Sequence, residues 1–114
     1  MSNIKLIINN EAKKEKEKFF IKRELQCILD LYARMVSNGT WRDYSFSYDT
    51  KEISFDVYLR TSDKPVLRIL KNLKPIYYNE KFLIKDKNGV VLNKSENLSN
   101  LINKTKWNNL KVIK

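Results

Sequence analysis

The chain has no histidine, one cysteine, two glycines and two prolines in 114 residues. Each shortage removes a class of chemistry. Without histidine, the commonest general base and the commonest zinc ligand are missing. Cys27 alone cannot close an internal disulfide, and a chain whose only glycines are Gly39 and Gly89 has no glycine-rich phosphate loop. Long hydrophobic runs are missing too. The longest apolar stretch near the N-terminus, Ile4 to Ile8, is interrupted by Lys5, far short of a signal-peptide core or a spanning helix. The acids Asp43, Asp56, Asp63 and Asp86 are scattered among lysines, without the spacing of metal ligands or of an acid/base pair. These absences predict a cytoplasmic protein with no cofactor, no metal, no membrane contact and no enzymatic activity.

What is present is charge and aromatic surface. The formal net charge is +10, a value that suits phosphate neutralisation by clustered Lys and Arg. Yet eighteen of the 23 basic residues are Lys, beside thirteen Asn, the profile of a coding sequence drifting toward A-rich codons. Net charge by itself speaks to solubility and non-specific binding. The five arginines, Arg23, Arg34, Arg42, Arg60 and Arg68, are more informative, because a planar guanidinium makes bidentate and stacked contacts that an ammonium cannot copy.

Length and composition allow one domain: 42% hydrophobic residues with thirteen aromatics can fill a single core. Residues 1–18, ending in EAKKEKEK, offer little to bury and read as a charged, mobile arm before a single α+β domain over 19–114. From Arg23 to Asn38, Leu25, Ile28, Leu29, Tyr32, Met35 and Val36 recur at helical period, and Gly39 supplies a left-handed stop. Arg23, Cys27, Asp30 and Arg34 fall on the opposite face. Cys27 beside two arginines has one attribute of a nucleophilic thiol, but with no partner base an incidental thiol is the favoured reading.

Strands follow the helix. Tyr44, Phe46 and Tyr48 alternate, then Ile53, Phe55, Val57 and Leu59, with Asp49, Thr50 and Lys51 between them as turn residues. Pairing Asp49 with Glu52 sets Tyr48 against Ile53, Phe46 against Phe55 and Tyr44 against Val57; a one-residue slip would send one apolar set to the wrong face. A third strand over 66–71 is expected to place Leu67 opposite Leu59. A fourth runs over 76–86, and Asn88-Gly89 turns it into a fifth over 90–93, with Ile84 opposite Leu92. Ser95 is expected to cap a short helix carrying Leu98, Leu101 and Ile102 on one face, and Leu110 to Ile113 reads as a last strand or tail. The fold expected is α+β: one long amphipathic helix on an antiparallel sheet of about five strands, plus a short C-terminal helix.

The run R-E-L at 23–25, I-L-D-L-Y at 28–32 and G-T-W-R-D-Y at 39–44, continuing through L-R-T-S-D-K-P at 59–65 and N-G-V-V-L-N-K at 88–94, resembles a small proteobacterial family of unknown function. The resemblance implies a shared fold and a cytoplasmic setting, and nothing catalytic.

The strand registers bring five side chains together on the outer sheet face. Trp41 falls opposite Arg60 and Asp43 opposite Tyr58, and Arg68 lies beside Tyr58. Trp41 and Arg60 would stack as a cation-π pair worth roughly 0.5 to 1 kcal/mol, with Asp43 orienting the guanidinium. Arg42, by alternation, belongs on the core side with Tyr44. Trp41, Asp43, Tyr58, Arg60 and Arg68 are therefore the candidate binding residues, for a nucleic acid or an acidic protein partner, in a small basic regulatory module. An internal lattice in which these groups satisfy one another is the competing reading. A non-catalytic accessory subunit of a larger assembly is the alternative function.

Overall fold

The computed structural model describes residues 19–59 and 64–107. Helix α1 (Lys22–Ser37) leads into strands β1 (Asp43–Tyr48), β2 (Glu52–Tyr58) and β3 (Leu67–Asn72). A single 3-10 turn (Tyr78–Glu80), strands β4 (Phe82–Asp86) and β5 (Val91–Ser95), and helix α2 (Leu98–Lys104) complete the order. The strands form one antiparallel sheet in the order β1-β2-β3-β4-β5. This is the expected α+β fold. The expected arm (1–18) and the expected last strand or tail over Leu110 to Ile113 lie outside the described residues.

Helix α1 begins where Glu24 turns back to accept the Ile21 N–H at 2.9 Å, satisfying one orphan donor of its first turn. It ends in a Schellman arrangement: the Gly39 N–H donates to the Val36 carbonyl and the Thr40 N–H to the Met35 carbonyl, with Gly39 at φ +82°. The buried stripe is Ile28, Leu31 and Met35. Leu31 therefore belongs to the core face, which is rotated from the predicted one. Val36 is exposed, and Cys27, assigned to the solvent face, packs partly buried against the core. The rotation lets three aliphatic residues at i, i+3 and i+7 point at the sheet, while Tyr32 lies at the margin with its hydroxyl free to donate to the Arg42 carbonyl.

The inner sheet face supplies Ile53, Phe55, Val57, Leu67, Ile69, Phe82 and Ile84, closed off by Leu98, Leu101 and Ile102 of α2. Each such side chain, fully buried, is worth roughly 1.5–3 kcal/mol. The β1–β2 register agrees with the sequence reading at Tyr48–Ile53, Phe46–Phe55, Tyr44–Val57 and Asp43–Tyr58. Two other registers differ. Leu67 pairs with Val57 rather than Leu59, which sets Arg68 opposite Asp56; the expected register would have left Asp56 facing Leu70. Ile84 pairs with Asn93 rather than Leu92, through a bulge next to Lys85. Without that bulge Lys94 would face Phe82 inside the core; with it Ser95 does.

Asn97, not Ser95, caps α2, accepting the Asn100 N–H at 3.0 Å. Ser95 instead ends β5, where its hydroxyl accepts the Asn97 N–H. Residues 76–81, expected as the start of β4, form an irregular loop and the 3-10 turn.

Candidate nucleic-acid interface

The predicted patch does not assemble as expected. Trp41 is 4% exposed and belongs to the core, its ring 5.7 Å from Trp107 and 6.3 Å from Tyr32. The Schellman turn explains this: Trp41 still donates its N–H to the Met35 carbonyl, so the chain is folded back under α1 before the ladder begins. Arg42 correspondingly points outward and is exposed, the reverse of the alternation reading, while its N–H bonds the Tyr58 carbonyl. Arg60 lies outside the described residues.

Asp43 does stand opposite Tyr58. Its carboxylate, however, accepts the N–H of Tyr44 at 2.8 Å. The Tyr58 hydroxyl shares a hydrogen bond with Ser45 at 3.0 Å. Arg68 donates to Asp56 at 3.0 Å through Nε and to Ser54 at 3.2 Å through Nη2. Asp56 also accepts from Ser47 and Ser54, both at 2.7 Å. Asp56 and Ser54 are each 1% exposed. On this outer face the Asp56 carboxylate is buried and satisfied, while Arg68, its side chain 37% exposed, gives two of its five N–H groups to Asp56 and Ser54.

Charge points the same way. The β1–β2 hairpin carries Asp43, Asp49, Glu52 and Asp56 against Lys51 alone, which makes it the acidic part of a basic chain.

A different surface gathers at one end of the sheet. There the β1–β2 turn meets the β3–β4 loop: Leu73 donates its N–H to the Lys51 carbonyl at 2.8 Å and Asn72 to the Lys81 carbonyl at 2.7 Å. Tyr48, Ile76, Tyr77 and Tyr78 are 73%, 86%, 64% and 71% exposed at this end. Lys51 and Lys74 are exposed beside them. Asp49 shapes the turn by accepting the N–H groups of Lys51 and Glu52, at 2.7 and 2.9 Å, and these bonds hold its carboxyl below the usual carboxylate range. Sequence reading missed this surface because 76–78 was taken into a strand. The available signal was Pro75 followed by three large residues with no alternation.

A cleft of about 450 Å³ opens between the start of α1, β4 and the start of α2, lined by Arg23, Glu24, Cys27, Lys71, Lys81 and Glu96 among others. Its chemistry is internal. Lys71 Nζ lies 2.8 Å from Glu24 Oε1 and 3.1 Å from the Phe19 carbonyl oxygen. Sequence reading also missed Lys71, which is 1% exposed. Elsewhere, burial raises the Tyr32 phenol above its ordinary pKa, helped by the nearby charge of Asp43 and by Tyr44.

Among the described residues no three His, Cys, Asp or Glu side chains converge as metal ligands, and no helix is long and apolar enough to cross a membrane. The chain belongs to a family described as protein of unknown function (DUF2794), whose model matches residues 18–102. No curated protein and no solved structure matches it.

Proposed function

We propose that this member of a family without an assigned activity is a small basic, non-catalytic module that binds nucleic acid in the cytoplasm. The observation that carries the reading is an excess of exposed cations: among the described residues eleven Lys and Arg are exposed, Lys22, Arg34, Lys74, Lys87 and Lys104 among them, against the exposed acids Asp30, Asp49 and Glu96. A polyanion binds exposed cations through counterion release.

A salt titration against nucleic acid tests this. Affinity should fall steeply with salt, with a slope of about −0.9 per phosphate neutralised on duplex DNA. No binding at low salt overturns the reading, and binding of poly-glutamate in its place points to an acidic protein partner.

A second reading, an accessory subunit of a larger assembly, is favoured by one observation: Val90, Val91 and Leu92 are three consecutive exposed apolar residues at the β4–β5 hairpin. Concentration-dependent self-association in sedimentation, abolished by Val91→Lys with Leu92→Lys, is its expected signature.

A further inference from the structure

We infer that two copies of this chain join edge to edge through β1, with Phe46 of each copy pairing with Tyr48 of the other about a two-fold axis at Ser47. This goes beyond the nucleic-acid reading and does not depend on it.

The sheet has two edge strands, β1 and β5, and β5 is closed by its own side chains. Along an antiparallel strand the backbone groups of successive residues point alternately toward one neighbour and the other. The bond from the Asn72 N–H to the Lys81 carbonyl sets this alternation between β3 and β4, so Phe82 and Ile84 turn toward Ser95 and Asn93 of β5 and Lys94 faces outward. Lys94 is already satisfied there. Its N–H donates to Asn93 Oδ1 at 3.0 Å and its carbonyl accepts Lys104 Nζ at 2.6 Å. With the bulge beside Lys85, these are devices that keep an edge from pairing.

The β1 edge is different. The Asp49 N–H donates to the Glu52 carbonyl at 3.0 Å to close the hairpin, which turns the odd-numbered residues of β1 toward β2 and turns Tyr44, Phe46 and Tyr48 away from it. The Tyr44 N–H is taken by the Asp43 carboxylate. Phe46 and Tyr48 keep both N–H and carbonyl open among the described residues. From Tyr44 to Tyr48 there is no charge, proline or bulge to blunt the edge.

These open groups select both the partner and the register. A second β1, antiparallel, with its Tyr48 opposite Phe46, uses both complete sets of backbone groups and leaves the occupied Tyr44 N–H alone. Each such pair exchanges two backbone bonds, and the two-fold axis repeats it. Setting Phe46 opposite Phe46 would instead require the Tyr44 N–H.

Side chains fit the same register. On the inner face Phe46 meets Tyr48 of the second copy, an aromatic cross-strand pair. It extends a cluster in which the Phe19 ring lies 5.4 Å from Phe46 and 6.5 Å from Tyr48, and it covers a tyrosine that is 73% exposed. On the outer face Ser47 meets Ser47. Further out, Asp43 of each copy approaches Lys51 in the turn of the other, placing opposite charges together.

The net charge of +10 makes two copies repel. Around this edge, however, Asp43, Asp49 and Glu52 stand against Arg42, Lys51 and Lys74, while Asp56 is held by Arg68. The edge is therefore close to neutral, a place where two basic chains can approach.

Sedimentation of the full chain across concentration tests this. The expected result is a monomer and dimer in equilibrium, with the amides of Phe46 and Tyr48 gaining protection from hydrogen exchange as concentration rises. Tyr48→Pro removes an edge donor from each copy and should weaken the dimer about tenfold or more. Ser47→Lys and Ser47→Glu should each be monomeric alone and dimerise when mixed, since the axis sets the two substituted positions about 4.5 Å apart between Cα atoms. Ser47→Cys should cross-link as a dimer on mild oxidation, whereas Ser45→Cys and the wild type, whose one thiol is Cys27, should not. Circular dichroism checks that each variant is folded. A monomer at every concentration overturns the inference. A dimer that survives the Ser47 variants also overturns it, and its loss in Val91→Lys with Leu92→Lys assigns association to the other edge. Protection of the Phe46 and Tyr48 amides that does not change with concentration overturns it as well, because the chain's own residues then cover the edge. None of these outcomes bears on the salt titration against nucleic acid.

Discussion

The ammonium of Lys71, on the core face of β3, is held 2.8 Å from the carboxylate of Glu24 in the first turn of α1. The same Glu24 oxygen accepts the Ile21 N–H that starts the helix. One carboxylate thus neutralises a buried cation and caps a helix, while the Phe19 carbonyl accepts a second bond from Lys71. The pair joins the sheet to the beginning of α1.

Removing the two partners should have unequal effects. Glu24→Ala strands a buried ammonium and opens the helix start, and is expected to cost about 3 kcal/mol in urea denaturation. Lys71→Met leaves a flexible apolar chain in an apolar site and a carboxylate that keeps its backbone bond, so the loss should be much smaller. Lys71→Met combined with Glu24→Gln should recover most of the single Glu24→Ala loss. Equal losses for the two single variants would contradict this account of the pair.

Trp41 should behave as a core residue. Trp41→Ala removes a ring packed against Trp107 and Tyr32 and is expected to cost about 3–5 kcal/mol, read as a fall in Tm. A surface tryptophan would show the opposite pattern, with stability altered by no more than about 0.5 kcal/mol.

Asp49 predicts an acid limb in the stability curve. Its folded pKa lies below its unfolded one because the backbone N–H groups of Lys51 and Glu52 favour the charged form. The stabilisation is therefore complete above the unfolded value, about 4, and is lost as pH falls through the folded value. Asp49→Asn keeps an acceptor oxygen for the turn but cannot titrate. Its stability should decline less steeply than the wild type's in that acid range, measured by thermal melts across pH.

The parts of the fold legible in the sequence were those with two independent signals. The β1–β2 hairpin had alternation on both strands and a turn between them, and its register agrees from Asp43–Tyr58 to Tyr48–Ile53. Where one signal stood alone, a tertiary effect displaced it. Periodicity could not separate Leu31 from Val36, because both border the predicted stripe and only the sheet decides which is covered. Alternation carried back from Asp43 put Trp41 outside, but the helix cap interrupts that strand before it starts. A lysine within a strand reads as solvent-facing, so Lys71 could be recognised only after Glu24 and Phe19 were placed beside it. Of the five proposed patch residues, only the Asp43–Tyr58 pairing followed from a signal strong enough to fix geometry.

The irregular step between β4 and β5 reaches beyond strand pairing. Because it lies between the pairs Lys85–Val91 and Ile84–Asn93, Leu92 is left out of the interior and stands exposed, while Asn93 turns inward to bond Thr105. A single additional residue in one strand thus chooses which side chains the molecule shows to others. Were the Lys85–Val91 register to continue without the irregular step, Leu92 would be drawn inward opposite Ile84 and Lys94 pushed against Phe82. The sheet tolerates an adhesive edge so that its interior can remain free of a second ammonium.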